Sequence, residues 1–305
     1  MSARVLVTGA AGFVCSNVVD VLLESGYAVV ALDVAFDDSL HQRWHGQPVE
    51  YVTALPDTRV DYVIHGAAVT AGPEARGETP EANFRANLHP AVTLSEWAAA
   101  HGVKRTIFIS SSGVTRGTTS AFVTEDQHYE PTGLYSVAKL AIEGLARTLR
   151  AEYGRDTLAV RLGYLYGPWE VRRPTRPHVS LVAQLVEEAL THGRITVADN
   201  STTTEWTYVR DIGRALVALL QAPTLNYPLY HLSSGQALNQ TDIAAALQAA
   251  LPGIEIRTHD EMPPFRGVLV GERLQADTGF NNWTPLHAGL AETIAWFRRH
   301  TEQTR

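Results

Sequence analysis

Two side chains at helical spacing and a run of serines could together move a proton at a substrate oxygen. Tyr135 and Lys139 are four residues apart, so on a helix both project from one face. A tyrosine ordinarily titrates at roughly pH 10, and a neighbouring ammonium lowers that pKa towards the range of a useful general base. Upstream, Ser110, Ser111 and Ser112 end an apolar run, where a hydroxyl can hydrogen-bond a substrate oxygen as its charge changes. The combination predicts acid–base chemistry at a hydroxyl or carbonyl group.

A glycine turn near the N-terminus has the composition of a phosphate-binding site. A β-branched run ends in Gly9, and Gly12 opens a stretch with helical spacing of its apolar residues. Gly9 permits a tight turn, and Gly12 lets the backbone of the helix N-terminus approach a pyrophosphate. Asp33 ends the next strand, where a carboxylate can bind the adenosine ribose hydroxyls and repel a 2′-phosphate, unless it is an ordinary surface residue. NAD is therefore favoured over NADP, with predicted contacts at Gly9, Ala11, Gly12, Phe13, Val14 and Asp33.

The chain has a single cysteine, and it falls where the third glycine of such a turn is usual. Cys15 is small, so packing of the helix on the strand can survive there, and the alternative is a reactive thiol. One cysteine excludes an internal disulfide framework and a cysteine-based zinc site. His65 has no partner at metal-ligand spacing and is predicted to be a buried residue at the end of a strand. No metal site is therefore predicted.

The first half of the chain alternates strands with helices, which predicts an α/β fold with a doubly wound parallel sheet of the Rossmann type. Strands are predicted at 4–8, 27–32, 49–53, 62–65, 106–110 and 158–161. Helices are predicted at 12–25, 80–100, 132–153, 179–191, 211–221, 241–251 and 287–300. Residues 1–166 are expected to form the NAD-binding domain. Residues 167–305 are expected to form mainly a smaller α/β substrate-binding lobe, with some segments returning to the first domain.

Composition excludes several classes of protein. Of 305 residues, 45% are hydrophobic and 19% charged, which is typical of a globular chain with a sizeable core. The net charge of −7 comes without a basic block, so nucleic acid is not an expected partner. No apolar run reaches the roughly 20 residues of a membrane span, and the N-terminus does not read as a signal peptide. A cytoplasmic location and no membrane partner are expected.

These motifs together resemble the extended short-chain dehydrogenase/reductase family, the NAD-dependent sugar epimerases and dehydratases. The resemblance covers nearly the whole length and rests on the segments 8–12, 65–68, Asn87, 110–112, Tyr135 with Lys139, Arg161 with 166–168, 208–211, and 282–285 with Trp296. It implies that Ser112 orients the substrate, that Tyr135 is the acid/base, and that Lys139 holds the nicotinamide ribose and lowers the tyrosine pKa. It also implies that Ala67 and Asn87 lie at the cofactor. Family members often dimerise through paired helices, one of which carries the Tyr and Lys, so a homodimer is expected.

Several positions depart from the family pattern. Only seven residues separate Thr53 from Asp61, so one crossover helix is missing. Leu55 stands where many relatives have an aspartate beside the adenine. Tyr164 replaces the usual asparagine and Thr204 the usual arginine at positions that contact a nucleotide-sugar. Gly113 and Val114 stand where dehydratases carry an Asp-Glu pair, which argues against dehydration because that reaction needs an extra acid and base.

The substrate is expected to be a small sugar-like molecule, contacted by Ser111 and Tyr164. Arg172, Arg173 and Arg176 cluster just after the Gly-Pro at 167–168, either as a solvated basic loop or as a fork that captures a carboxylate or phosphate. An epimerase of a sugar or nucleotide-sugar is favoured. The alternatives are an NAD-dependent dehydrogenase of a sugar, sugar acid or other hydroxy acid, and a catalytically silent NAD-binding module.

Overall fold

A computed structural model describes residues 2–199, 202–261 and 267–303, the last three of these by their backbone only. The strands within these ranges are β1 Arg4–Thr8, β2 Ala28–Leu32, β3 Val49–Val52, β4 Tyr62–His65, β5 Arg105–Ser111, β6 Phe122–Val123, β7 Thr157–Leu162, β8 Tyr164–Tyr166, β9 Arg194–Ala198, β10 Thr204–Tyr208, β11 Leu229–Leu232, β12 Ala237–Leu238, β13 Glu255–His259 and β14 Val268–Leu269. The helices are α1 Phe13–Glu24, α2 Asp38–Arg43, α3 Pro73–Arg76, α4 Pro80–Ala100, α5 Leu134–Tyr153, α6 Leu181–His192, α7 Val209–Gln221, α8 Gln240–Ala250, α9 Glu272–Thr278 and α10 Leu286–Gln303. A 3-10 turn covers Ser112–Thr115.

The centre of the fold is a parallel sheet of seven strands in the order β11-β7-β5-β4-β1-β2-β3. Its inner strands are short runs of Val, Ile and Leu that are buried on both faces, as expected when helices cover both sides of a parallel sheet. Helices α1 and α7 pack against each other over one face, and α4 and α5 over the other. The order reverses beside β1, and at such a point the carboxyl ends of the strands open a crevice. The predicted doubly wound sheet is confirmed.

A second core lies beside this sheet and is built from later parts of the chain. It contains Tyr166, Trp206, Tyr208 and Trp296, and it packs α6, α8 and α10 around the strands β9 and β10. The intervening segment returns to the main sheet, since α7 covers α1 and β11 pairs with β7. The assignment of cofactor to 1–166 and of substrate mainly to 167–305 stays a prediction.

The connection between β3 and β4 contains no helix, as its length predicts. The indole of Trp97 donates a hydrogen bond of 3.1 Å to the carbonyl oxygen of Pro56, which fixes this short crossover against α4. Leu55 packs on the small core between the sheet and α4. Within the described ranges, no helix is long and apolar enough to cross a membrane.

Candidate active site

The glycine turn after β1 leaves the N-terminus of α1 open towards the crevice. Gly9 has φ of +72°, and a Cβ there would lie 2.8 Å from the Cα of Ala67 in the loop after β4. Gly12 is the N-cap residue of α1, without a side-chain cap and with no acidic residue in the first turn. The N–H groups of Phe13 and Val14 have no acceptor inside the helix. They can therefore bind a phosphate.

Asp33 follows β2 directly and its carboxylate reaches the turn. The carboxylate accepts hydrogen bonds from the backbone N–H of Ala11 at 2.9 Å and of Val34 at 2.7 Å. This geometry places a negative charge beside the backbone of Ala11, just before the N-cap of α1. A contact of this carboxylate with the ribose hydroxyls stays a prediction.

Cys15 is buried and packs on the next loop. Its Sγ lies against Gly66, where an added Cβ would collide with the sulfur. Burial, together with the charge of Asp33, raises the pKa of the thiol to about 12. A thiol with such a pKa is not ionised at neutral pH, so the geometry favours the packing role over the reactive one.

His65 ends β4 as a buried residue. Its Nδ1 lies 2.8 Å from the hydroxyl oxygen of Thr8, and that oxygen also accepts a bond from the N–H of Ala67. Burial and the nearby charge of Lys139 lower the pKa of His65 to about 3, so the ring is neutral. Across the described ranges, no three His, Cys, Asp or Glu side chains group as metal ligands.

Asn87 of α4 holds the loop after β4 in place through hydrogen bonds to the backbone of that loop. Its amide accepts a hydrogen bond from the N–H of Val69 at 2.9 Å and donates to the carbonyl oxygens of Val69 and Asn83 at 3.0 and 3.3 Å. The amide therefore positions the loop that carries Ala67. A direct contact of Asn87 with the cofactor stays a prediction.

The serine run and the Tyr–Lys helix meet at the carboxyl edge of the sheet. Ser111 ends β5, and its hydroxyl accepts a bond of 3.0 Å from the N–H of Gly113. A Cβ added at Gly113 would lie 3.0 Å from the hydroxyl of Ser136 and 3.9 Å from the ring of Tyr135. Ser112, which begins the 3-10 turn, is thus next to the N-terminus of α5. The structure places the turn that begins at Ser112 beside the helix that carries Tyr135 and Lys139, and the catalytic roles of these residues stay predictions.

Lys139 is buried beneath Tyr135. Its ammonium donates a hydrogen bond of 2.7 Å to the carbonyl oxygen of Ile109 and lies 5.7 Å from the centre of the Tyr135 ring. Burial lowers the pKa of Lys139 to about 8, against the opposing effects of Cys15 and Glu143. The tethered cation can stabilise a phenolate at Tyr135.

A buried polar network behind these residues could not be read from the sequence. Glu143, one turn after Lys139 on α5, binds Arg161 of β7 through two hydrogen bonds of 2.9 and 2.7 Å. The same carboxylate accepts a bond of 2.5 Å from the hydroxyl of Ser110. The network thus ties α5 to the end of β5. Its one sequence signal is a glutamate four residues after Lys139, on the same helix face.

The remaining substrate candidates do not converge on one point. Tyr164 begins β8, and its ring centre lies 5.1 Å from that of Trp206 in the second core. Each predicted arginine binds a different carboxylate of the chain. Arg172 binds Glu187 at 2.9 and 2.8 Å, Arg173 lies 3.4 Å from Asp37, and Arg176 lies 2.5 Å from Glu170. The three guanidinium groups therefore do not form one binding site for a carboxylate or phosphate. Their contact with a substrate stays a prediction.

Comparison with known proteins agrees with this geometry. A sequence model described as the NAD dependent epimerase/dehydratase family matches residues 5–230, and the chain belongs to that family. It is 28% identical to the UDP-glucose 4-epimerase of Mycolicibacterium smegmatis, over 98% of this chain and 100% of the relative. It is 27% identical to the dTDP-glucose 4,6-dehydratase of Streptomyces griseus, over 98% and 95%. The solved structure of MoeE5 in complex with UDP-glucose and NAD superposes with a TM-score of 0.78 at 26% identity, over 98% of this chain and 100% of that one.

The protein is therefore an NAD-dependent oxidoreductase of the short-chain dehydrogenase/reductase type, and the predicted family, enzyme class and cofactor are confirmed. The residues of the crevice fit NAD. The turn at Gly9 has no room for a Cβ, the N-terminus of α1 is uncapped, and the carboxylate of Asp33 binds the backbone of Ala11 in the turn.

Proposed function

We propose that the protein is an epimerase that inverts a hydroxyl-bearing carbon of a nucleotide-sugar. The observation that carries the proposal is the approach of the Ser112 turn to Tyr135, with Lys139 buried beneath the ring. Relatives named UDP-glucose 4-epimerase and UDP-glucuronate 4-epimerase support a nucleotide-sugar as the substrate class. The reaction is redox-neutral overall, so it needs no second substrate.

In this proposal Tyr135 is the acid and base. Its phenolate takes the proton of the substrate hydroxyl, and the same group returns a proton after inversion. Lys139 favours the phenolate through its charge, and Ser112 donates a hydrogen bond to the substrate oxygen as it becomes a carbonyl. In this proposal Asp33 binds the adenosine ribose of the cofactor. The rest of the cofactor site is formed or supported by Gly9, Ala11, Gly12, Phe13, Val14, Ala67 and Asn87. NAD, when bound, supplies the hydride acceptor and donor.

Dehydration is disfavoured by the space at the 3-10 turn. A Cβ added at Gly113 would lie 3.0 Å from the hydroxyl of Ser136, so a side chain there would need Ser136 to shift by a few tenths of an ångström. Val114 is buried and apolar. The two positions therefore offer no further acid or base for the elimination of water.

A net dehydrogenase of a sugar, sugar acid or hydroxy acid is the second candidate. It is motivated by Tyr164 and Thr204, which replace two usual contacts to a nucleotide-sugar. The pairing of Arg172 with Glu187 and of Arg173 with Asp37 weakens it, because both guanidinium groups already have a carboxylate.

The test begins with NAD(H) released on denaturation, followed by incubation with UDP-glucose, UDP-glucuronate and dTDP-glucose. About one NAD per chain and an inverted sugar without net NADH are expected. Tyr135→Phe should lower turnover about 10²- to 10⁴-fold, the usual contribution of general acid–base catalysis. Tyr153→Phe, on the same helix but exposed, is the matched control and should leave turnover unchanged.

Accumulation of NADH with a free hydroxy acid or sugar would identify the dehydrogenase instead. Full turnover by Tyr135→Phe would contradict both enzyme hypotheses. A protein that binds NAD and turns over no substrate would be the silent module.

We further infer a homodimer, formed through α4 and α5. Phe84, Leu88, Val92, Leu134 and Val137 line an apolar groove between these two helices, and Val92 and Val137 are exposed. A contiguous apolar surface of this kind is typical of a subunit interface. We also propose a cytoplasmic location, because a single cysteine gives no disulfide framework of the kind common in secreted proteins.

A further inference from the structure

Residues 168–176, which we call the strap, cross the carboxyl edge of the sheet. At one end, the carbonyl oxygen of Pro168 accepts a hydrogen bond of 3.0 Å from the side-chain amide of Asn17 on α1. At the other end, the carbonyl oxygen of Thr175 accepts bonds from the N–H groups of Thr70 at 3.0 Å and Ala71 at 3.1 Å. The strap therefore joins the two walls of the crevice in which the dinucleotide site lies.

Trp169 fixes the strap near its start. It is the one residue other than glycine with positive φ, at 67°, within the described ranges. Its ring lies 4.1 Å from the guanidinium carbon of Arg43, and its ring centre lies 5.6 Å from that of Trp296. A bulky residue adopts this conformation at a cost, which the two ring contacts offset.

Arg176 ends the strap beside the first residue of α1, which follows the phosphate-binding turn. Its guanidinium carbon lies 4.9 Å from the ring centre of Phe13, the first residue of α1. One nitrogen binds Glu170, which is fully buried and also accepts bonds from the N–H and hydroxyl of Ser180 at 2.8 and 2.7 Å. The guanidinium is thus held in one orientation by a carboxylate that is itself fixed.

The second terminal nitrogen of Arg176, Nη1, is buried and has no hydrogen-bond partner among the residues that the structure describes. A guanidinium carries five N–H donors, and a buried donor without an acceptor is costly. The guanidinium lies against the first residue of α1, and the N-terminus of that helix has no side-chain cap and no acidic residue in its first turn. The carboxylate of Asp33 binds the N–H of Ala11, which leaves the N–H groups of Phe13 and Val14 without an acceptor in the helix.

We propose that Arg176 is a ligand of the cofactor diphosphate, so that the strap closes over bound NAD. The diphosphate would accept hydrogen bonds from the N–H groups of the first turn of α1 on one side and from Arg176 on the other. A charged N–H donor and an anionic oxygen form one of the stronger hydrogen bonds in proteins. The inference rests on the phosphate-binding role proposed above for the turn, and it moves Arg176 from the predicted substrate contacts to the cofactor.

The experiment measures dissociation constants of NADH, ADP-ribose and adenosine for the full-length protein freed of bound NAD. In Arg176→Gln, NADH and ADP-ribose should bind about 10- to 100-fold more weakly, while adenosine, which lacks the diphosphate, changes less than about twofold. Arg172→Gln is the matched control, because Arg172 also belongs to the strap but its side chain binds Glu187. It should leave all three constants unchanged.

Arg176→Lys keeps a charge beside Glu170 and guards against misfolding of the glutamine variant. It should fold and still bind ADP-ribose more weakly than the native protein, since a single ammonium replaces the fork. Native affinity for ADP-ribose in a folded Arg176 variant would overturn the inference, as would a change confined to the KM of an anionic substrate. If the native protein itself binds ADP-ribose no better than adenosine, the phosphate site of the proposed function fails instead.

Discussion

Glu205 is a buried carboxylate with few hydrogen-bond partners. It is buried in β10 against Gly163, where an added Cβ would collide with its Oε1. Its Oε2 accepts long bonds from the N–H of Leu269 at 3.4 Å and the hydroxyl of Thr204 at 3.5 Å. Oε1 has no partner among the described residues. Burial therefore raises the pKa of Glu205 to about 7.

This environment makes the stability of the protein depend on pH in a defined direction. Because the pKa rises on folding from 4.5 to about 7, the contribution of Glu205 is most favourable below pH 4.5 and is lost as pH rises through 7. Glu205→Gln removes the buried charge and should raise the free energy of unfolding at pH 8, by up to about 3 kcal/mol. The gain should shrink at pH 5.

Thermal unfolding at the two pH values measures the effect, with the exposed Glu152→Gln as control. An equal gain at both values would show that the carboxylate is not the cause.

At the level of single residues, the sequence predicts the candidate site residues that lie close together along the chain. Tyr135 and Lys139 are one helical turn apart, and Gly9 and Gly12 belong to one turn, so no knowledge of the tertiary fold is needed. The partners of the arginine cluster could not be predicted in the same way. Arg173 binds Asp37 across most of the preceding chain, so nothing local reveals that its charge is already matched.

At the level of elements, periodicity predicts seven of the ten helices and six of the seven strands of the main sheet within the described ranges, whereas the seven strands outside that sheet are not predicted. Strands β1 and β4 and helix α4 have the predicted bounds, and the other predicted elements are shifted at their ends by a few residues at most. Helix α4 begins with Pro80, which is favoured at a first helical position. The edge strand β11 was not predicted, because its four residues have no pattern of their own and are defined by pairing with β7.

Two glycines inside helices should respond in opposite ways to the same substitution. A Cβ at Gly213 of α7 would lie 2.7 Å from the Cβ of Val21 on α1, whereas nothing lies within 4 Å of a Cβ at Gly144 of α5. Gly213→Ala should lower the free energy of unfolding by about 1–3 kcal/mol, because the two helices must separate. Gly144→Ala should raise it by about 0.5–1 kcal/mol, because alanine favours the helix.

Urea unfolding of the two variants provides the measurement. A stable Gly213→Ala protein would mean that α1 and α7 do not need this close approach.

At the level of the whole molecule, composition and strand–helix alternation predict the fold class but not how the chain crosses between its two cores. The exposed apolar groove on α4 and α5 likewise becomes visible only once both helices are packed. That groove is formed in part by α5, the helix that carries Tyr135 and Lys139. Assembly and the candidate active site therefore depend on the same helix.

The proposed dimer is tested by a charge placed in this groove. Val137→Glu should give a monomer in sedimentation equilibrium, since burying an unpaired carboxylate in an apolar interface is unfavourable. Val34→Glu is the control, because Val34 is also exposed but lies after β2, away from the groove. A native protein that sediments as a monomer, or a dimeric Val137→Glu variant, would contradict the proposed interface.

The place of β11 at the edge of the main sheet has a consequence for synthesis. Strand β7 is complete at Leu162, but its neighbour β11 ends only at Leu232. At the usual pace of a ribosome, the roughly 70 residues between them take several seconds to emerge. Until then β7, which is buried along its whole length in the folded protein, lacks its partner on one side, and an unpaired apolar strand can pair with another chain. Four residues made late in translation therefore cover β7 and take its place at the edge of the sheet.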